Sequence, residues 1–342
     1  MQEKINIGVV GLDNWYHALP YCQALSQMED VEFIGVSDES YERTKCTAKQ
    51  YGVKKWSTDH REIIEDAAID AVIITACTNQ HAGLSELAAI NGKQVLCDKP
   101  IEVSLEKADS IIQTIKKTEV KFMMSFTRRV KPHFIKAKEM IQKGKSGQVA
   151  CIMETGRFLL PRSEPNSEEP GWYAEMAKAG GGGFVDHAVH QLDALRWFLN
   201  DEVEQVLGYT SNLVYKEIEV EDYGIATFKF NKGTVATVES TWTVVPPDAP
   251  CDRVEIQGTK GSITIDEISH RTTLYDRKGE VSYHFPFEDS DIFRKMLENF
   301  VTAIRSDRPP LASAWDGRAA TELVLAVYQS AKEGRRITLP AR

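Results

Sequence analysis

The stretch INIGVVGLDNWY (residues 5–16) decides the fold: a short apolar strand runs into Gly8-Val9-Val10-Gly11 and then into the start of an amphipathic segment. Strand, glycine turn and helix in that order open a β-α-β unit. Working outward, apolar runs rich in Val and Ile recur at 31–36, 71–75, 95–97 and 121–125. Between them, segments 17–28, 40–51, 81–91 and 104–117 have helical length and apolar periodicity, with capping residues such as Ser104. Strands alternating with helices of this size predict a parallel sheet covered on both faces. Right-handed crossovers then give a doubly wound domain whose ligands sit at the carboxyl ends of the strands.

Function is therefore sought at those strand ends. Gly8 and Gly11 begin like a dinucleotide fingerprint, but Asp13 and Tyr16 stand where its second and third glycines belong. Gly11 still permits the tight turn, whereas a side chain at 13 hinders a pyrophosphate and an ionised Asp13 would repel it. Leu12, Asn14 and Trp15 complete the turn as candidate cofactor contacts. After the second strand, Asp38 is placed to hold a ribose 2′-hydroxyl and disfavours a 2′-phosphate, so NAD is preferred over NADP. The same acid would also counter a helix dipole. Thr78, Asn79 and His81 follow one later strand, and Asp98, Lys99 and Pro100 follow the next. A lysine fixed by the following proline can project into the cleft as a cation.

The second informative stretch is GGGGFVDHAVHQLD (residues 180–193). A helix starting near Phe184 stacks Asp186 and His190 about 6 Å apart at Cβ. A carboxylate beside an imidazole orients the ring and favours its protonated form, a general-base arrangement. An ordinary solvated pair would share that spacing, but four successive glycines make sense where something approaches the main chain closely.

With 342 residues, 42% hydrophobic and 27% charged, the chain has the composition of a globular protein long enough for two packed domains. Its net charge of -9, without clustered Lys and Arg, argues against nucleic acid or an anionic membrane as partner. The N-terminal segment lacks signal-peptide character and no apolar run is long enough to span a bilayer. Cys22, Cys46, Cys77, Cys97, Cys151 and Cys251 show no CxxC spacing, which points to a reduced, cytoplasmic setting and no metal site.

Taken together, the altered glycine turn, Asp38, TNQHAGLSELAAINGKQVLCDKPIEVS and GGGGFVDHAVHQLDALRWFL resemble the Gfo/Idh/MocA family of NAD(P)-dependent oxidoreductases. The likeness continues to Gly258-Thr259-Lys260-Gly261, Asp316-Gly317 and Ser330-Ala331. It implies a dinucleotide-binding Rossmann domain over residues 1–124. Residues 125–342 would form an α+β domain built on a large, mostly antiparallel sheet, for substrate binding and assembly into a homodimer or homotetramer. Alternating segments at 148–155, 206–214, 223–230, 234–242, 254–257 and 262–266 agree, with hairpin turns at 231–233 and 259–261. Helices are expected near 291–304 and 318–332.

The resemblance assigns His190 as general base, Asp186 as its orienting partner and Lys99 as the cation stabilising the reacting oxygen. Asp98 replaces the family's usual Glu before Lys-Pro, and Cys77 stands where a proline is common. The implied substrate is a sugar, inositol or related polyol, with Arg157, Arg162, Trp172, Tyr173, Lys178, Asp193 and Trp242 as pocket residues; Asp193 is equally placed to pair with Arg196, and the aromatics suit a core as well. The polar loop 161–171 reads as a lid or an oligomer contact. A non-catalytic nucleotide or sugar sensor of the same fold, and a glycosidase using NAD transiently, are the alternatives.

Overall fold

The computed structural model describes residues 3–244, 250–306 and 308–340. The chain opens with β1 (Ile5–Val10), α1 (Trp15–Gln27), β2 (Val31–Ser37), α2 (Tyr41–Tyr51), β3 (Lys55–Ser57) and α3 (His60–Ile64). There follow β4 (Ala71–Ile74), α4 (His81–Ile90), β5 (Gln94–Cys97), α5 (Leu105–Thr118) and β6 (Phe122–Met124). These six strands form one sheet in the order β3-β2-β1-β4-β5-β6, and every pair is parallel. Ile7, Val9, Val10, Val72, Ile73, Ile74 and Leu96 have no exposed surface, as a sheet covered on both faces requires. Strand order reverses between β1 and β4, which opens the crevice where such sheets bind ligands.

The second half continues with α6 (Pro132–Gln142), β7 (Val149–Arg157), α7 (Met176–Ala179), α8 (Gly183–Leu199), β8 (Val203–Ser211), β9 (Tyr223–Phe230) and β10 (Val235–Thr241). It ends with β11 (Cys251–Gly258), β12 (Gly261–Asp266), β13 (Arg271–Asp276), β14 (Gly279–His284), α9 (Asp289–Arg305), α10 (Ala314–Glu333) and β15 (Ile337–Thr338). The nine strands run β14-β13-β12-β11-β7-β10-β9-β8-β15, antiparallel except for β7 with β10. A doubly wound parallel sheet followed by a large, mostly antiparallel one is the expected fold class.

Alternation along the strands gives the second sheet two unlike faces. Ile152, Ala226, Phe228, Ala236, Val238, Val254 and Ile256 point to one side and are buried in the core shared with α6, α8 and α10. On the other side Met153, Leu207, Tyr209 and Val235 are exposed. The chain then returns to its beginning. Ile292, Phe293, Met296, Leu297 and Phe300 of α9 join the core around α1. Met296, Leu297 and Phe300 are fully buried, and each such side chain contributes about 1.5–3 kcal/mol, so this packing ties the C-terminal helices firmly to the first sheet.

Candidate active site

The glycine run before α8 exists because protein, packed against protein, needs the space. Gly180 and Gly181 take φ of +78° and +154°. A Cβ at Gly181 would collide with the Tyr328 hydroxyl and one at Gly182 with the Glu221 carbonyl. A Cβ at Gly183 would lie 2.6 Å from the Asp222 carbonyl. The close approach lets the Glu221 carboxylate accept from the Gly182 and Phe184 amides, both at 3.0 Å, at the positive end of α8. Tyr328 donates to the same carboxylate at 2.8 Å. The first turn of α8 is thereby fixed against the sheet, and Asp186 and His190 with it.

Lys99, at the carboxyl end of β5, reaches across to that turn. Its Nζ donates to the Asp186 carboxylate at 2.8 Å and to the Asp186 carbonyl at 2.7 Å. Trp242 Nε1 donates to the other carboxylate oxygen at 3.1 Å, and His187 Nε2 lies 3.2 Å from it. Burial opposes ionisation, but Lys99 and then His187 outweigh it and hold the Asp186 carboxyl well below the usual range.

The expected Asp186–His190 contact is not formed. The donors around Asp186 turn its carboxylate away, and His190 Nδ1 is buried without a hydrogen-bond partner among the described residues. Burial first, and then Lys99, His17 and Arg128 nearby, keep His190 well below the ordinary histidine range. The ring is therefore neutral, the opposite of what a carboxylate neighbour would give. A neutral imidazole can accept a proton, so the correction concerns how the base is prepared.

Lys99, Asp186, His187 and His190 line a cavity of about 820 Å³ between the two sheets, together with Asn14, His17, Arg128 and Tyr173. His17 and Arg128 were not singled out from sequence. The Arg128 guanidinium is buried between Glu154 and Asp252, an arrangement that only the second sheet's register creates. A signal for His17 was available, since it lies in the first turn of the helix that follows the glycine turn. Tyr173, an expected substrate contact, donates its hydroxyl to Asn14 Oδ1 at 2.9 Å. Burial and then Asp186 and Asp98 push its pKa well up, so it stays a phenol.

The strand ends of the first sheet fit a dinucleotide. Gly11 has φ +82°, and a Cβ there would lie 2.5 Å from the Ala76 backbone, so β1 and the loop after β4 approach as closely as the tight turn demands. The first turn of α1 has no acidic residue and no side-chain cap, which leaves its amide end suited to an anion. Asp38 is fully buried and accepts from the Leu12 amide at 2.7 Å and the Ser40 amide at 2.8 Å. Thr78 and Asn79 begin the short turn after β4, on the same side.

Three expectations about this platform change. Asp13 is not a free anion, because Arg43 bonds it at 2.9 Å and Asp38 at 2.7 Å. Burial and the neighbouring Asp38 raise the Asp13 pKa while Arg43 opposes them. His81 turns inward with 1% exposure, its two ring nitrogens 2.7 Å and 3.0 Å from the Pro100 and Ala76 carbonyls. Both nitrogens must donate there, so the ring is an imidazolium that joins two loops rather than a cofactor contact. Gly8 packs a strand, since a Cβ would meet Ile63 at 2.8 Å.

Asp13 and Tyr16, which stand in place of glycines in the turn, and Trp15 between them hold the loop that reads as a lid or an oligomer contact. Trp15 Nε1 donates to the Arg162 carbonyl at 2.9 Å, and the Arg162 amide donates to the Tyr16 hydroxyl at 3.0 Å. Trp172 Nε1 donates to the Asp13 carbonyl at 3.2 Å, so this expected substrate residue serves the loop. Two other expectations fail. Asp193 is fully buried, bound by Arg129 at 2.8 Å and 2.6 Å. Arg157 lies on the outer face of the second sheet and pairs with Glu239 at 2.9 Å, because strand parity turns it from the cavity.

Comparison with known proteins agrees with this geometry. Residues 5–126 match the model described as "Oxidoreductase family, NAD-binding Rossmann fold", and residues 134–264 match the "GFO/IDH/MocA C-terminal domain". The chain is similar to myo-inositol 2-dehydrogenase of Thermotoga maritima, 29% identical with 98% of each chain covered. It is likewise similar to scyllo-inositol 2-dehydrogenase (NAD(+)) of Bacillus subtilis, 28% identical over 100% of this chain and 98% of that one. A solved levoglucosan dehydrogenase in complex with NADH shares the fold with a TM-score of 0.89, at 21% identity over 99% of this chain and 100% of that one. The crevice in the parallel sheet, the glycine turn at its edge and both matched segments lead to one assignment: the chain belongs to the Gfo/Idh/MocA family of oxidoreductases and carries its NAD-binding Rossmann domain.

Proposed function

We propose that this chain is an NAD-dependent dehydrogenase of inositols, sugars or related polyols, acting on a secondary alcohol in the cavity lined by Lys99 and His190. The observation that carries this reading is a neutral His190 and a fixed lysine in one cavity beside the dinucleotide platform. The turn 11–15 and the start of α1 would hold NAD, whose nicotinamide accepts hydride from carbon or returns it; Asp38, expected to hold the ribose, is fully buried and braces that turn through the Leu12 amide and Arg43 instead. Everything else falls to the chain's own groups. His190 takes the hydroxyl proton, because its uncharged ring has a lone pair to offer. The Lys99 ammonium stabilises charge developing on the same oxygen. Asp186 acts through Lys99 by fixing its position. In the reducing direction these groups return the proton.

The inositol 2-dehydrogenases named among the relatives support the substrate class. We further propose that the open face of the second sheet, with Leu207, Tyr209, Met153 and Val235 exposed, meets a second copy of this chain. The direct test is a screen of inositols, sugars and polyols with NAD and NADP, read as reduced-cofactor absorbance. Oxidation of a cyclic polyol or sugar with NAD is the expected result. A chain that binds NADH yet oxidises none, and reduces none of the matching ketones, overturns the reading.

A further inference from the structure

His17, which lines the same cavity, forms a second proton-handling pair with the buried Asp98 behind it. Asp98 is 1% exposed and accepts from Asn14 Nδ2 at 2.7 Å and from the Lys99 amide at 2.8 Å. His17 Nδ1 lies 2.8 Å from its Oδ1. Asp98 is thus held in one orientation by two donors, and it holds the His17 ring in turn. Burial works against its charge, but His17 and then Lys99 keep the carboxyl below the usual range, so it is an acceptor. Whenever the His17 ring is neutral, this contact with an acceptor puts its hydrogen on Nδ1 and leaves Nε2 free.

His190 has no such partner. Its Nδ1 is buried with no hydrogen-bond partner among the described residues, and Lys99 Nζ is already committed to Asp186. A proton taken up by His190 needs a way out. The His17 ring stands edge-to-face with it, centroids 6.4 Å apart, a separation one water molecule can bridge. The groups facing His17 are Asp98 and Lys99 from the end of β5, His190 from α8 and the uncharged Phe293 from α9. His17 is also the more open of the two, with 17% of its side chain exposed, and nearly two turns further along α1 the exposed Gln23 lines the same cavity.

We infer that His17, oriented by Asp98, relays the reaction proton between His190 and solvent. The inference rests on the dehydrogenase reading above. The proton leaves the substrate hydroxyl for His190, passes to His17 Nε2 and departs to water; in the reducing direction it travels back. His17 neither gains nor loses electrons, and it acts through His190 as a positioning and relay residue, while Asp98 acts through His17.

Two measurements on the intact chain decide it. ¹⁵N NMR of histidine-labelled protein, at a pH where the ring is neutral and with His17→Gln for assignment, reads the tautomer without substrate. Hydrogen on Nδ1 is expected, and hydrogen on Nε2 overturns the relay. On a polyol that the wild-type chain oxidises, His17→Gln offers Asp98 an amide but no titrating ring. Its kcat in weak buffer should fall roughly ten- to hundred-fold, with recovery as imidazole is added and NADH affinity held. An unchanged kcat, or a loss that imidazole cannot restore, overturns the relay and leaves the dehydrogenase reading intact. A wild-type chain that binds NADH but oxidises nothing overturns the dehydrogenase reading, and the inferred relay falls with it.

Discussion

Replacing Lys99 by Met removes the ammonium that ties the end of β5 to α8 at the site. Its Nζ is bound to Asp186 twice, at 2.8 Å and 2.7 Å, with side-chain exposures of 5% and 14%. Breaking a buried ion pair by deleting one partner costs about 3–5 kcal/mol when the other charge is left uncompensated. Asp186 keeps Trp242 and His187 as neighbours, so a loss of about 2–4 kcal/mol in unfolding free energy is expected. Asp186→Asn alone should cost less, and the double variant should be more stable than the sum of the single changes implies, with a coupling of about 1–3 kcal/mol. Turnover should fall about 10²–10³-fold in Lys99→Met, since a preorganised charge at the reacting oxygen is lost. Urea unfolding of the four proteins, with polyol oxidation followed alongside, measures both effects. Additive stabilities together with unaltered turnover would refute the reasoning.

Stability should respond to pH in three separable windows. His190 has a depressed folded pKa, so the unfolded chain gains a proton first and stability falls as pH drops below about 6.5, a slope that His190→Gln should remove. His81 is raised to about 9, so its contribution is complete below 6.5 and disappears as pH rises through about 9, which His81→Gln should abolish. Asp186 has a depressed folded pKa; its contribution is present above 3.8 and is lost only as pH falls through the lower folded value. Because Arg43 already neutralises Asp13, Asp13→Asn should change NADH affinity less than about threefold, whereas Arg43→Gln should weaken it about tenfold, about 1.4 kcal/mol, in a fluorescence titration. A tenfold gain in Asp13→Asn would show that the carboxylate repels the cofactor after all. Gly183→Ala places a Cβ 2.6 Å from the Asp222 carbonyl and should cost about 1–3 kcal/mol, with reduced turnover as α8 shifts; an unaltered unfolding midpoint would show that the turn relaxes freely.

The first sheet was legible because its strands are buried on both faces and read as unbroken apolar runs. β3 was missed: Lys55 and Trp56 sit exposed on the sheet edge, where no such run is needed. β14 was missed for a similar reason, since it is an outer edge strand with little buried surface, and β13 because two of its three buried positions are the polar Thr272 and Thr273. The residue types of the site were also legible, as Lys99, Asp186 and His190 do meet in one cavity. Their partners were not. Helical spacing puts Asp186 near His190, but it cannot show that a lysine 87 positions away takes the carboxylate first. Asp13 shows the same limit, because the arginine that neutralises it lies 30 positions on, across the strand order. Asp193 and Arg157 were assigned by type and neighbourhood alone, and burial and strand parity sent them elsewhere.

Direct hydride transfer is the core of the proposed function, and deuterium reports it without ambiguity. The measurement uses a polyol labelled with deuterium at the carbinol carbon, incubated with NAD and either the wild-type chain or His190→Ala, with the nicotinamide recovered and analysed by mass. One deuterium per turnover should appear on the nicotinamide with the wild-type chain and none with His190→Ala, although both bind NADH. Label lost to water, or transferred equally by the His190→Ala protein, would contradict a site in which His190 takes the proton while carbon gives hydride directly to NAD.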